Sequence, residues 1–177
     1  HADHLDGLDD LRVFCHSQSS QHEASPGPGL PVYGNPQPLA DTKNRFDYIF
    51  KPTQLGGGKP KLDLEDCSRF TPDSPLIIGD VSILPVPMKH GVIDTTGWLM
   101  SVNGSDGCRH SIAYLTDCSE IPESSFRILT QNGGIIDHLV IDGLREEPHS
   151  THFSYLQAME AASKICAFRT WLTHICH

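Results

Sequence analysis

His1-Ala2-Asp3-His4-Leu5-Asp6-Gly7 opens the chain and decides how the rest is read. Two imidazoles and a carboxylate fall within four residues. These are metal-ligand side chains at high density, and Gly7 allows the backbone a sharp turn behind them. Short His/Asp runs also occur as solvated surface, so the run gains its meaning from the rest of the chain. Three further candidates, His90, Asp117 and His174, each follow an apolar run. At each of them an apolar strand gives way to a loop, which holds the backbone and leaves the side chain able to reach a shared cleft. A metal site is the reading that accounts for all of these positions together.

These segments resemble the metallo-β-lactamase family. His1 to Gly7 match the second half of its signature, His-x-His-x-Asp-His. Pro87-Met88-Lys89-His90-Gly91, Tyr114-Leu115-Thr116-Asp117 and Leu172-Thr173-His174-Ile175 resemble the family's later ligand segments, in the family's order. Leu144-Arg145-Glu146-Glu147-Pro148-His149-Ser150-Thr151-His152-Phe153 brings the likeness nearest to the cyclic-phosphate phosphodiesterases of phosphonate breakdown. The tRNA 3′-processing endonucleases resemble it more distantly. The resemblance implies an α/β chain with the αββα sandwich, of which the later strands and outer helices are present. The signature's first histidine would stand two residues before His1, so the expectation is a single partial domain over 1–177, incomplete at the N-terminus and beyond His174.

The resemblance also implies two divalent metal ions, Zn²⁺ or Mn²⁺, with Fe²⁺ equally compatible with mixed imidazole and carboxylate ligands. His1, His90 and Asp117 would hold one. Asp3, His4, His174 and the shared Asp117 would hold the other, the two oxygens of Asp117 bridging the cations while offsetting their repulsion. His152 resembles the family's general acid, with His149 as the neighbouring alternative, and Asp3 is expected beside His152 among the catalytic residues. The implied chemistry is hydrolysis of phosphodiesters, small cyclic ones among them, by a water whose pKa two metals lower towards about 7. Hydrolysis of a thioester or other acyl ester is the alternative within the superfamily, because the same nucleophile attacks a carbonyl. A non-catalytic metal-binding fragment is the alternative outside catalysis.

Other polar residues carry weaker expectations. Asp6 and Asp142 are candidates to accept an N–H from an imidazole and fix its tautomer, or to serve only as turn residues. Arg145 suits an anionic substrate or a surface ion pair. His16, His22, His110, His138 and His177 are not expected to be ligands.

Composition sets the outer limits. At 177 residues one ordinary core is the expectation, and 38% hydrophobic content with 15 Gly and 13 Pro implies many turns and loops. A net charge of -9 argues against a broad nucleic-acid footprint and leaves a small-molecule phosphoester as the expected partner. Six cysteines without a Cys-x-x-Cys pair indicate neither a zinc knuckle nor a disulfide framework, which favours a reducing, cytoplasmic setting. No run is long and apolar enough to span a bilayer.

Periodicity predicts helices over Leu8–Phe14, Asp41–Phe50 and Pro122–Thr130, and strands over 31–34, 81–86, 98–102, 111–115, 138–141 and 169–173. Asn103 to Gly107 reads as a hairpin turn. Residues 17–29 read as a flexible insertion, and 54–61, with three consecutive glycines, as a linker. Ser154 followed by Gln157 forms a capping-box pattern ahead of a helix reaching about Cys166, with Leu156, Met159, Ala162 and Ile165 predicted to face the core. Cys166 is predicted to be a buried thiol.

Overall fold

A computed structural model describes residues 2–15, 29–52 and 58–176, in two compact units, His1–Cys67 and Ser68–His177. The expected insertion lies almost wholly outside the described residues, as does the glycine-rich core of the expected linker.

In the first unit, α1 (Ala2–Leu5), a 3₁₀ turn (Asp6–Leu11) and α2 (Arg12–Cys15) follow one another directly. Strand β1 (Leu30–Gly34) pairs in parallel with β2 (Leu62–Asp66). Between them in sequence lie α3 (Pro36–Arg45) and α4 (Asp47–Phe50). Pro36 sits in the first turn of α3, where its missing N–H costs nothing, so the helix starts five residues before the periodicity placed it. Asp6 and Asp9 accept from Arg45 at 2.8 Å and from the Tyr48 hydroxyl at 2.5 Å, which ties the 3₁₀ turn to α3 and α4.

The second unit is one six-stranded sheet in the order β3-β4-β5-β6-β7-β8. Its strands are β3 (Leu76–Ile78), β4 (Val81–His90), β5 (Ile93–Asn103), β6 (Arg109–Leu115), β7 (Ile135–Asp142) and β8 (Arg169–Thr173). The first four pair antiparallel, β5 and β6 through the turn read at Asn103 to Gly107. The last two pairings are parallel, with α5 (Glu123–Asn132) and α6 (Tyr155–Ile165) as the connecting helices. Each parallel pairing needs such a crossover, which explains the switch from hairpins to helices along the sequence. Strands β4, β6, β7 and β8 therefore all run in one direction.

Strand periodicity sorts the side chains. Leu84, Val86, Met88 and His90 alternate inward along β4, and Leu99, Ala113, Leu115, Leu139 and Ile141 continue that buried layer across the sheet. Pro85 and Pro87 are tolerated because they fall between the β3 pairing, which reaches only Ile83, and the bridge of Lys89 to Glu120. A Cβ on Gly97 would lie 2.5 Å from Leu115 Cδ2, so only glycine lets β5 and β6 pack there.

Two expectations about α6 are corrected. Leu156 and Met159 are 65% and 63% exposed; Ile165 is buried and Ala162 packs against the core as predicted, and Ala158 and Ala161 complete that face. Small alanines bring the helix close to the sheet, and closeness of approach outweighed side-chain size in choosing the face. Cys166 is exposed, because it is the left-handed C-cap of that helix (φ 61°), a position that points out of the packed layer.

Candidate metal and proton-transfer centre

Four strands running one way bring four carboxyl ends to one edge of the sheet. His90 ends β4, Asp117 follows β6, Asp142 ends β7 and His174 follows β8. Ligands of open α/β sheets bind at this edge. Backbone conformation singles out the same positions: Asp117 (φ 53°) and His174 (φ 63°) adopt the left-handed region without being glycine. Such residues cost free energy and persist where the surrounding structure holds them, as functional sites do.

Donor atoms of Asp117, Asp142, His152 and His174 lie within 4.8 Å of one another, and His174 Nε2 stands 3.4 Å from Asp117 Oδ1. Asp142 is fully buried, and its Oδ2 accepts the Cys118 backbone N–H at 2.9 Å and His152 Nδ1–H at 2.7 Å. Its Oδ1 is buried with no hydrogen-bond partner among the described residues. A buried carboxylate oxygen without a donor is costly, and a cation alongside would relieve that cost.

The imidazoles are oriented by their neighbours. His90 Nδ1 donates to the Thr151 carbonyl at 2.7 Å, which puts the proton on Nδ1 and the lone pair on Nε2, the form that ligates metals. The ring of His152 lies 4.5 Å from that of His90 and 5.2 Å from that of His174, centroid to centroid. Two imidazoles with carboxylates at strand ends, one oxygen lacking a donor and one imidazole locked in the ligating tautomer fit a divalent cation.

The segment carrying His152 is pinned to the sheet at both ends. Phe153 N–H donates to Cys118 O at 2.8 Å, Leu144 N–H to Phe153 O at 2.9 Å and Gly143 N–H to Thr173 O at 3.0 Å. Arg145 donates to the Glu147 and Pro148 carbonyls at 3.4 Å and forms no ion pair among the described residues. Burial pushes the Cys118 thiol up to about 12.

The other residues singled out in the sequence have surroundings of their own. Asp3 and His4 lie on α1 of the first unit, His4 Nε2 standing 3.4 Å from Asp3 Oδ2. His1 lies outside the described residues. Asp6 takes the Arg45 guanidinium. His138 Nδ1 accepts from the Trp171 indole at 3.1 Å, and His110 is held between Asp106 and Asp137. Thr151 was missed by sequence reasoning: its backbone does the orienting, and a backbone role leaves no side-chain signature.

The beta-lactamase superfamily domain model matches residues 1–175. A diphosphatase of the PhnP family is 28% identical with a TM-score of 0.72, over 99% of this chain and 57% of that one. Human tRNase Z, short form, is 16% identical with a TM-score of 0.61, over 100% of this chain and 70% of that one. An octanoyltransferase from Porphyromonas gingivalis is 27% identical over 100% of this chain and 31% of its own length. The chain thus spans about a third of that curated relative and little more than half of the diphosphatase. With the family match running through both units to Ile175, the chain belongs to the beta-lactamase superfamily and has the metallo-β-lactamase fold.

Proposed function

We propose that the protein is a metal-dependent hydrolase of phosphodiesters, with small, including cyclic, phosphoesters as substrates. The observation that carries this reading is the hydrogen-bonded Asp142–His152 pair, set beside the Asp117 and His174 donors. Among the strand-end residues, Asp117, His174 and His90 would hold the ions, with Zn²⁺ and Mn²⁺ both suited to them. The ligand roles of His1, Asp3 and His4, and the catalytic role of Asp3, are carried by the signature. Bound divalent ions would make hydroxide available near neutral pH and offset charge on a phosphoryl oxygen.

The chain's own residues supply the proton. Asp142 Oδ2 accepts from a backbone N–H and from His152 at once, which holds the imidazole in one orientation. Nδ1–H faces Asp142, so Nε2 is the atom that exchanges protons with substrate. A proton held there passes to the leaving alkoxide oxygen as the P–O bond breaks, and the resulting neutral imidazole recovers one from water. The buried carboxylate offers the imidazolium a counter-charge at 2.7 Å.

Acyl-ester or thioester hydrolysis is the second reading, favoured by the octanoyltransferase relative, although that name describes a protein of which this chain matches 31%. A metal-binding fragment without catalysis is the third. The six cysteines form no disulfide, which supports the reducing, cytoplasmic setting, and no helix among the described residues is long and apolar enough to cross a membrane.

Elemental analysis of the purified protein, with turnover of bis(p-nitrophenyl) phosphate and of a model thioester under added Zn²⁺ or Mn²⁺, tests the proposal. Bound metal with phosphodiester turnover, lost in Asp117→Ala, is expected. Thioester turnover alone would transfer the assignment to acyl chemistry, and metal binding without either would leave a non-catalytic protein.

A further inference from the structure

Three histidines meet at Thr151, and they do not share one tautomer. His90 and His152 each point Nδ1 at an atom that only accepts, the Thr151 carbonyl and Asp142 Oδ2, so both carry hydrogen on Nδ1. His149 is the reverse. Its Nδ1 receives the Thr151 backbone N–H at 3.3 Å, and a backbone N–H can only donate. The Thr151 hydroxyl lies 3.2 Å from the same nitrogen. His149 therefore has its lone pair on Nδ1 and its hydrogen on Nε2, at the far edge of the ring. That ring is half-buried, with its centroid 5.5 Å from that of His152.

We propose that His149 is a substrate-binding residue whose Nε2–H donates to a non-bridging phosphoryl oxygen of the phosphodiester that His152 protonates. This rests on the phosphodiesterase reading and assigns the two histidines different tasks. His152 gives up a proton, whereas His149 keeps its own and supplies one fixed hydrogen bond. A phosphodiester anion presents two non-bridging oxygens, an acyl ester a single carbonyl oxygen. A donor set apart from the cation-binding side chains therefore favours phosphoryl over acyl substrates. Thr151 is a positioning residue for both sides of the centre: its N–H orients His149 and its carbonyl orients His90.

The test uses two variants of the chain. His149→Ala is expected to raise KM for bis(p-nitrophenyl) phosphate about tenfold or more with kcat little changed, the pattern of lost uniform binding to a charged group. His149→Gln retains an N–H donor near the same place and has no proton to transfer, so it is expected to recover most of the loss. A fall in kcat that glutamine does not rescue would make His149 an acid and overturn the proposal. Long-range ¹H–¹⁵N imidazole spectra of the metal-free protein give a readout independent of activity. Hydrogen on Nε2 of His149 and on Nδ1 of His90 and His152 is expected, and hydrogen on Nδ1 of His149 would overturn the assignment. If the wild-type chain hydrolyses no phosphodiester, the phosphodiesterase reading fails by itself. Dimethyl phosphate binding to the Mn²⁺-supplemented protein then decides this proposal, weakened by His149→Ala if correct and unchanged if wrong.

Discussion

At Asp142 one carboxylate oxygen accepts two hydrogen bonds while its buried twin accepts none among the described residues, and different substitutions separate these functions. Asp142→Asn keeps an oxygen that can accept from Cys118 and His152 but removes the negative charge opposite the imidazole. For a substrate with an alkyl leaving group, kcat is expected to fall by about 10²- to 10⁴-fold, the usual worth of general acid–base catalysis. With p-nitrophenolate, which departs more readily as an anion, the loss is smaller, and comparing the two leaving groups in steady-state assays checks this. Asp142→Ala also strands the Cys118 N–H in the core. That variant is expected to lose about 1–3 kcal/mol of stability, read from denaturant unfolding. Asp142 and His152 were both singled out in the sequence, as a strand end and a family likeness. Their hydrogen bond was not legible, because ten residues of loop separate them and only closure of that loop onto Cys118 brings them together.

Among the elements, the turn joining β4 to β5 connects backbone geometry to the site. Gly91 has φ +64°, and a Cβ there would lie 2.8 Å from Thr151 Cγ2. Gly91→Ala pays for a left-handed alanine and also pushes on the residue whose carbonyl orients His90. A stability loss of about 1–3 kcal/mol is expected, together with weaker Mn²⁺ binding by calorimetry. Binding unchanged despite the stability loss would detach Thr151 from the metal site. Helix α6 shows how much of an element is local. Ser154 Oγ accepts from Gln157 N–H and Gln157 Oε1 accepts from Ser154 N–H, the capping box read directly from the spacing. Ser154→Ala should cost about 1 kcal/mol. On the same helix Ala162 and Ile165 face the core as read, but Leu156 and Met159 do not, because apolar size was weighed where small residues allow the closer approach to the sheet.

For the whole molecule, charge pairing at the opposite end of β6 from Asp117 makes stability depend on pH. His110 is bonded at Nε2 to Asp106 and at Nδ1 to Asp137, both at 3.0 Å. Two acceptors on one ring require the imidazolium, and hydrogen bonding by the carboxylates raises His110 above its ordinary 6.5. The same contact lowers both aspartates below 3.8. The histidine contribution is fully present below pH 6.5 and fades as pH climbs through the raised folded value. The aspartate contributions are present above pH 3.8 and fade as pH falls through the lowered values. His110→Gln is therefore expected to be destabilised relative to wild type near pH 5.5 and to converge with it in alkali, as measured by urea midpoints across pH. A constant gap would dismiss the clamp. Ligand linkage supplies a second whole-molecule expectation. A divalent ion at about 100 times its Kd should add about 2.7 kcal/mol to folding, visible as a Tm rise that EDTA reverses.

Composition, pattern and short-range chemistry were sufficient for much of this protein. Most of the strands, the hairpin turn and the cap of α6 were legible because each depends on residues close in sequence. The likeness of the ligand segments also carried the family, since those side chains recur at strand ends in one order. Tertiary structure alone decided which strands run in the same direction, and hence that His90, Asp117, Asp142 and His174 share one edge. It decided, too, which nitrogen of each histidine carries the proton. A tautomer is set by whatever donor or acceptor arrives from elsewhere in the chain. At His90 that acceptor is the carbonyl of Thr151, 61 residues away, and no local pattern encodes it.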